Sequence, residues 1–171
     1  DEMQSALLNF KKAETLVSGS NAMWLRIAQS QCLAAMGQVP AASALLSSPA
    51  ASDDPAISAA ATAAMGSTKL QSGAYQQGAQ LLNKALAEAT TVSWATKNQA
   101  LADLALAQLI IGDTDPGLEA LHAVQAQFDQ AGDHMLLIRS LENELRLLEH
   151  EHRDKEAAKL KSRIAELETN T

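Results

Sequence analysis

The run Glu149-His150-Glu151-His152 has the residue types of a divalent-metal site. A metal needs converging ligands, and residues two apart on a helix point to different faces. The two imidazoles therefore diverge, and the run reads as solvated surface. Asp113 and Asp115 begin like a calcium loop, but the later ligands and closing glutamate of such a loop do not follow. Gly66-Ser67-Thr68-Lys69 offers glycine, hydroxyls and a cation. It lacks the upstream glycine and the Lys-Ser/Thr order of a phosphate loop. Cys32 sits in an apolar stretch, where a thiol packs rather than reacts. His122 and His134 are single, and no serine stands in a motif with a histidine and an acid. These readings point away from an enzyme and imply no cofactor and no metal.

The elements that carry these residues are built from alanine and leucine. Of 171 residues, 47% are hydrophobic but only 3% aromatic. Such a chain suits closely stacked helices better than a sandwich of strands, which favours β-branched and aromatic residues. The net charge of −7 favours neither nucleic acid nor an anionic membrane. No apolar run approaches the roughly 20 residues of a membrane span. A single cysteine excludes an internal disulfide framework and fits a reducing, intracellular compartment, cytoplasmic or nuclear. Charge is uneven: 14 of the 20 acidic residues follow residue 90, and none of either sign lies between Ile27 and Ser52. The segment after Arg139 reads as a solvated end cap.

The same helix pair recurs along the chain. Around Met65-Gly66 a helix presents Ala61, Met65, Thr68 and Ser72 on one stripe, with small residues between them. Gly66 inside it costs about 1 kcal/mol relative to alanine, which close approach of a partner helix would offset. Gly73 stops this helix. Tyr75, Gly78, Leu82 and Ala85 then mark one face of a second helix. The second-helix spacing returns in Ala6-x3-Phe10-x2-Ala13 and in Gly117-x3-Leu121-x2-Val124. Trp24-x2-Ile27-Ala28 opens a first helix over about 21–36, stopped at Gly37.

Further boundaries follow from capping chemistry. The opening helix spans residues 2–17. Pro40 opens a short helix to about Leu46, and 47–53 is a Ser/Ala/Pro loop. Asp53 or Asp54 caps the next helix with Pro55 in its first turn, and that pair's second helix ends near Thr90. Ser93 or Thr91 starts the following helix, which stops at Gly112. Asp113-Thr114-Asp115-Pro116 makes a turn and helix start. Gly132-Asp133 breaks the chain. A helix over about 134–151 carries Leu137, Leu141, Leu145 and Leu148, and a last one over about 154–167 carries Ala157, Leu160, Ile164 and Leu167. A fourth turn, without glycine, falls near His152.

This order resembles the tetratricopeptide (TPR) repeat: an apolar residue with glycine, a glycine turn, then small-x3-bulky-x2-Ala. Thr62 stands where the family carries Trp, and Lys69 where it carries Tyr. The turn glycines Gly37, Gly73 and Gly112 are 36 and 39 residues apart, longer than the family period of about 34. The long-repeat arrays, such as that of kinesin light chain, are similar. The resemblance covers nearly the whole chain. It implies an all-α, right-handed α-solenoid of antiparallel helix pairs, about four TPR-like repeats after an N-terminal half-repeat. Residues 1–171 then form one TPR-like domain, expected to be a fragment of a larger solenoid protein.

The function implied is a non-enzymatic interaction scaffold or adaptor, holding a peptide or helical segment of a protein partner on its concave face. The alternative is a regulatory or sensing domain whose groove takes a small peptide or ligand. The inner face implied by the register is Leu25, Gln29, Cys32, Leu33, Ser67, Leu70, Gln71, Gln99, Ala102 and Leu106. Its neutrality has two explanations: tight winding hides these side chains, or they form a groove for an apolar segment. Chaperone-binding TPR domains grip a terminal carboxylate with basic residues. The matching positions here, Leu25, Gln29, Ala63, Ser67, Ala102 and Leu106, hold none. No affinity for acidic chaperone tails is therefore expected.

Overall fold

The computed structural model describes residues 2–88, 93–112 and 114–169. Among these the chain is all-α, with nine helices and no strand: α1 Glu2–Glu14, α2 Ser20–Ala35, α3 Val39–Ala50, α4 Pro55–Gln71, α5 Tyr75–Glu88, α6 Trp94–Ile111, α7 Thr114–Ala131, α8 His134–His150 and α9 Asp154–Thr169. The expected helix end at Thr90, the alternative cap Thr91 and the turn residue Asp113 lie outside the described residues.

Helix starts follow the expected chemistry. Asp54 caps α4 by accepting from the Ala56 amide, with Pro55 in the first turn. Ser93 caps α6 and Asp133 caps α8 in the same way. Helix ends share one device: the amides of Gln38, Ala74, Asp133 and Arg153 each reach back five residues, to the carbonyls of Leu33, Lys69, Phe128 and Leu148. That closure needs a left-handed residue, supplied by Gly37, Gly73 and Gly132 and, at the fourth turn, by His152 with φ 56°.

Two boundaries differ from the sequence expectation. α3 runs on to Ala50 rather than ending at Leu46, so the expected loop over 47–53 shrinks to a short turn. Pro49 sits inside this last turn and is buried. A proline there forfeits one hydrogen bond but loses no further turns, and its ring contributes apolar surface. α1 ends at Glu14 rather than at 17.

The helix pairs meet at small residues. A β-carbon on Gly66 would lie 2.7 Å from Leu82 Cγ and 3.1 Å from the Gly78 carbonyl oxygen. One on Gly78 would fall on Leu70 Cδ2 and 3.0 Å from the Gly66 carbonyl. Two glycines thus let α4 and α5 touch backbone to backbone, the close approach expected from Gly66. The crossing repeats 39 residues on: Gly117 faces Leu109, 2.8 Å from where its β-carbon would be, and the Ala105 carbonyl at 3.3 Å. Glycine, leucine and small residue occupy matching places in α4–α5 and α6–α7.

Each helix packs on its sequence neighbours, and α2 also packs on α4, and α4 on α6. Between them lie local cores. Leu46 and Ile57 are fully buried with Ile27, and Leu82 with Leu104 and Ala107. Leu137, Leu141 and Leu148 of α8 are buried with Ala157, Leu160 and Ile164 of α9. Each buried leucine contributes about 2 kcal/mol by transfer from water. The series breaks once. α6 and α8 do not pack: among the described residues no Cα of one lies within 8 Å of a Cα of the other. Only α7 joins them.

Candidate binding cleft along α6

Two open clefts flank α6. The first, of about 560 Å3, lies between α2, α4 and α6. The second, of about 590 Å3, fills the gap between α6 and α8 and is floored by α7. Asp103 and Leu106 line both, so one face of α6 joins them.

The structure divides the ten candidate residues. Ser67, Leu70, Gln71, Gln99 and Leu106 line the first cleft. Ala102 and Leu106 line the second. Leu25, Gln29, Cys32 and Leu33 line neither, and from α2 the first cleft takes Gln31 and Ala34 instead. Cys32 is a buried free thiol, and Leu33 packs with Ala34 and Ala42.

Gln29 is the clearest departure. It is 2% exposed, and its Nε2 donates to Glu14 Oε2 at 2.6 Å. Glu14 Oε1 accepts from Arg26 Nε at 2.7 Å. Arg26, with Gln29, holds the Glu14 carboxyl below the usual carboxylate range. Gln29 is therefore a tie between α1 and α2, not a groove residue. A similar tie joins α7 to α8: buried Glu144 accepts from His122 Nε2 and Gln125 Nε2, each at 2.7 Å.

Sequence reasoning missed the one acid of the first cleft. Asp103 is half-buried on α6. Its Oδ2 accepts a hydrogen bond from Ser67 Oγ on α4, and its Oδ1 accepts from Gln99 Nε2 at 2.8 Å. Burial pushes this carboxyl up, against the two hydrogen bonds that pull it down. No lysine, arginine or histidine among the described residues makes an ion pair with it. Leu106 at 52% and Ile110 at 47% exposed flank it on the α6 surface.

The second cleft is walled by Leu106 and Leu109 on the α6 side and by Leu136, 41% exposed, on the α8 side, with Phe128 of α7 in its floor. Arg139 and Ser140 line it from α8. Ser140 is only 8% exposed, yet its hydroxyl makes no hydrogen bond. The other buried helical hydroxyls behave differently: Ser30 donates to the carbonyl three residues back, and Thr62 and Thr68 to those four back. An unmet buried hydroxyl costs about 1–3 kcal/mol.

Elsewhere the chemistry-bearing residues stand apart. His150 ends α8 and His152 occupies the left-handed turn after it. No group of three or more potential metal ligands occurs among the described residues. No described helix is long and apolar enough to cross a membrane. No family model matches the chain, and the curated proteins contain no significant match to it.

Proposed function

We propose that the chain is a TPR-like α-solenoid of antiparallel helix pairs that serves as a protein-interaction scaffold. A peptide or helical segment of a partner lies along its inner face. The solenoid reading rests on the helix-pair crossing that recurs 39 residues apart, and on the packing of α2 on α4 and α4 on α6. The binding reading rests on one observation: α6 exposes Leu106 to open clefts on both of its sides and Ile110 to the first of them. Exposed leucine and isoleucine beside a concave surface lose unfavourable hydration when an apolar segment covers them. The deciding experiment is affinity capture with quantitative mass spectrometry, using wild type, Gln71→Glu, Leu106→Asp and Lys84→Glu. Proteins lost by the first two variants but kept by Lys84→Glu, on exposed α5, support the reading. Equal capture by all four overturns it.

A further inference from the structure

We propose that the cleft between α2, α4 and α6 receives an extended, uncharged segment of a protein partner, held through its main chain by the carboxamides of Gln31 and Gln71. The inference rests on the scaffold reading above and decides between the peptide and the helix that it allows. Only one residue lining this cleft, Asp103, is charged. Each of its carboxylate oxygens is already engaged, one by Ser67 and one by Gln99. The cleft therefore offers a guest no free ionic partner, and it repels a carboxylate. What it offers is neutral: the apolar side chains of Leu70, Leu106 and Ile110, and the carboxamides.

Those carboxamides are uncommitted. Gln29, Gln99 and Gln125 each donate to a carboxylate within the fold. Gln31 on α2 and Gln71 at the end of α4 are exposed, and among the described residues neither side chain makes a hydrogen bond. A carboxamide carries a donor beside an acceptor, the complement of a peptide unit. An extended chain leaves both groups of its peptide units free to pair, whereas a helix uses them internally. The dimensions agree. α2 packs on α4, and α4 on α6. With packed axes about 8–10 Å apart, the way from α2 to α6 is about 16–20 Å, which an extended chain crosses in about five or six residues. Successive side chains of such a segment point to opposite faces. The guest therefore alternates apolar residues, laid on Leu106 and Ile110, with neutral polar ones.

The test uses three sets of end-blocked six-residue peptides built from alanine, leucine, serine and threonine. One set is linear, one has alternate amides N-methylated, and one is locked as a helix by an i,i+4 staple. Each set is screened as an array against labelled wild type. The best binders are then titrated by fluorescence anisotropy against wild type, the double variant Gln31→Leu with Gln71→Leu, and Gln80→Leu, a control on exposed α5. All are first shown to be folded by circular dichroism. The linear peptides are expected to bind best, and the double variant to weaken them about tenfold while the control does not, as expected for two lost hydrogen bonds. Leucine makes the cleft more apolar, so unchanged or tighter binding by the double variant overturns the main-chain inference. Equal binding of linear and N-methylated peptides does the same. Stapled peptides that bind best, and are lost on Leu106→Asp, overturn it while leaving the scaffold reading standing. Binding of no peptide in any set overturns both.

Discussion

Ser67 on α4 donates a hydrogen bond to the carboxylate of Asp103 on α6, 36 residues along the chain. The bond ties α4 to α6 at the edge of a cleft. Ser67 Oγ also lies 3.2 Å from the Ala63 carbonyl, so its one proton has two acceptors. Asparagine at 103 resolves that competition: its amide can donate to Ser67, freeing the serine proton for Ala63.

This sets the sign of a pH effect. Asp103 has a folded pKa raised by burial. Its contribution to stability is therefore full below the unfolded pKa and is lost as pH rises through the folded one. Asp103→Asn is expected to melt at or above the wild-type temperature at pH 7. Its advantage shrinks as pH falls toward the carboxylate range. Thermal melts at pH 7 and pH 4 check this, and a variant clearly less stable at pH 7 contradicts it.

Glu14 has the opposite sign. Its folded pKa is depressed by Arg26 and Gln29, so its contribution is present above the unfolded pKa, about 4.3, and is lost as pH falls through the folded value. α1 has no buried residue of its own and leans on this tie. Protection of the α1 amides, taken relative to their intrinsic exchange rate at each pH, should fall below pH 4 while that of the α4 amides does not. Gln29→Glu should release α1 already at neutral pH, because two carboxylates then share one buried place.

The glycine crossings predict an order of damage. Gly78→Ala drives a methyl toward the Gly66 carbonyl, a backbone atom that cannot rotate away, at 3.0 Å. Gly117→Ala likewise meets a movable leucine, Leu109, but its backbone neighbour, the Ala105 carbonyl, lies farther off at 3.3 Å. Both should destabilise, within the overpacking range of about 1–3 kcal/mol, with Gly78→Ala the worse. Denaturant midpoints decide the order.

His152→Gly is expected to stabilise. A non-glycine residue in the left-handed region costs roughly 1–2 kcal/mol, and glycine gives back about 0.5–1 through its unfolded freedom. The net gain of about 0.5–1 kcal/mol corresponds to a rise of roughly 1–4 °C in Tm for a chain of this size. An unchanged or lower Tm counts against the turn assignment.

Acidic chaperone C-terminal peptides should show no binding in calorimetry. Ser67 and Leu106 bring no cation to the first cleft, and the one charged residue that lines it, Asp103, repels a carboxylate. Micromolar affinity would refute this.

Much of this architecture could be read from residue order. Gly37, Gly73 and Gly112 mark helix ends because left-handed backbone suits glycine. Asp54-Pro55 and Ser93 mark starts because their side chains meet free amides. Even the glycine-less turn at His152 followed from spacing. Periodicity failed where a polar residue meets a partner distant in the chain. Gln29 looked like a groove residue because the repeat register put it on the inner face, and its match with Glu14 depends on how α1 returns over α2. Asp103, between Ala102 and Leu104, carries no sign that Ser67 waits across the helix boundary. Pro49 misled in another way: proline usually ends a helix, but in the last turn it breaks no turn beyond itself, and its ring is buried.

The missing contact between α6 and α8 has a mechanical consequence. In a chain whose helices touch mainly their neighbours, cooperativity is transmitted interface by interface. One route of transmission is absent here, and α7 alone carries the coupling across. Unfolding should therefore divide at that seam, with α8 and α9 opening as a unit of their own while α2 to α6 remain protected. The same seam is where α8 and α9 can swing most easily against α6, because among the described residues only α7 lies between them.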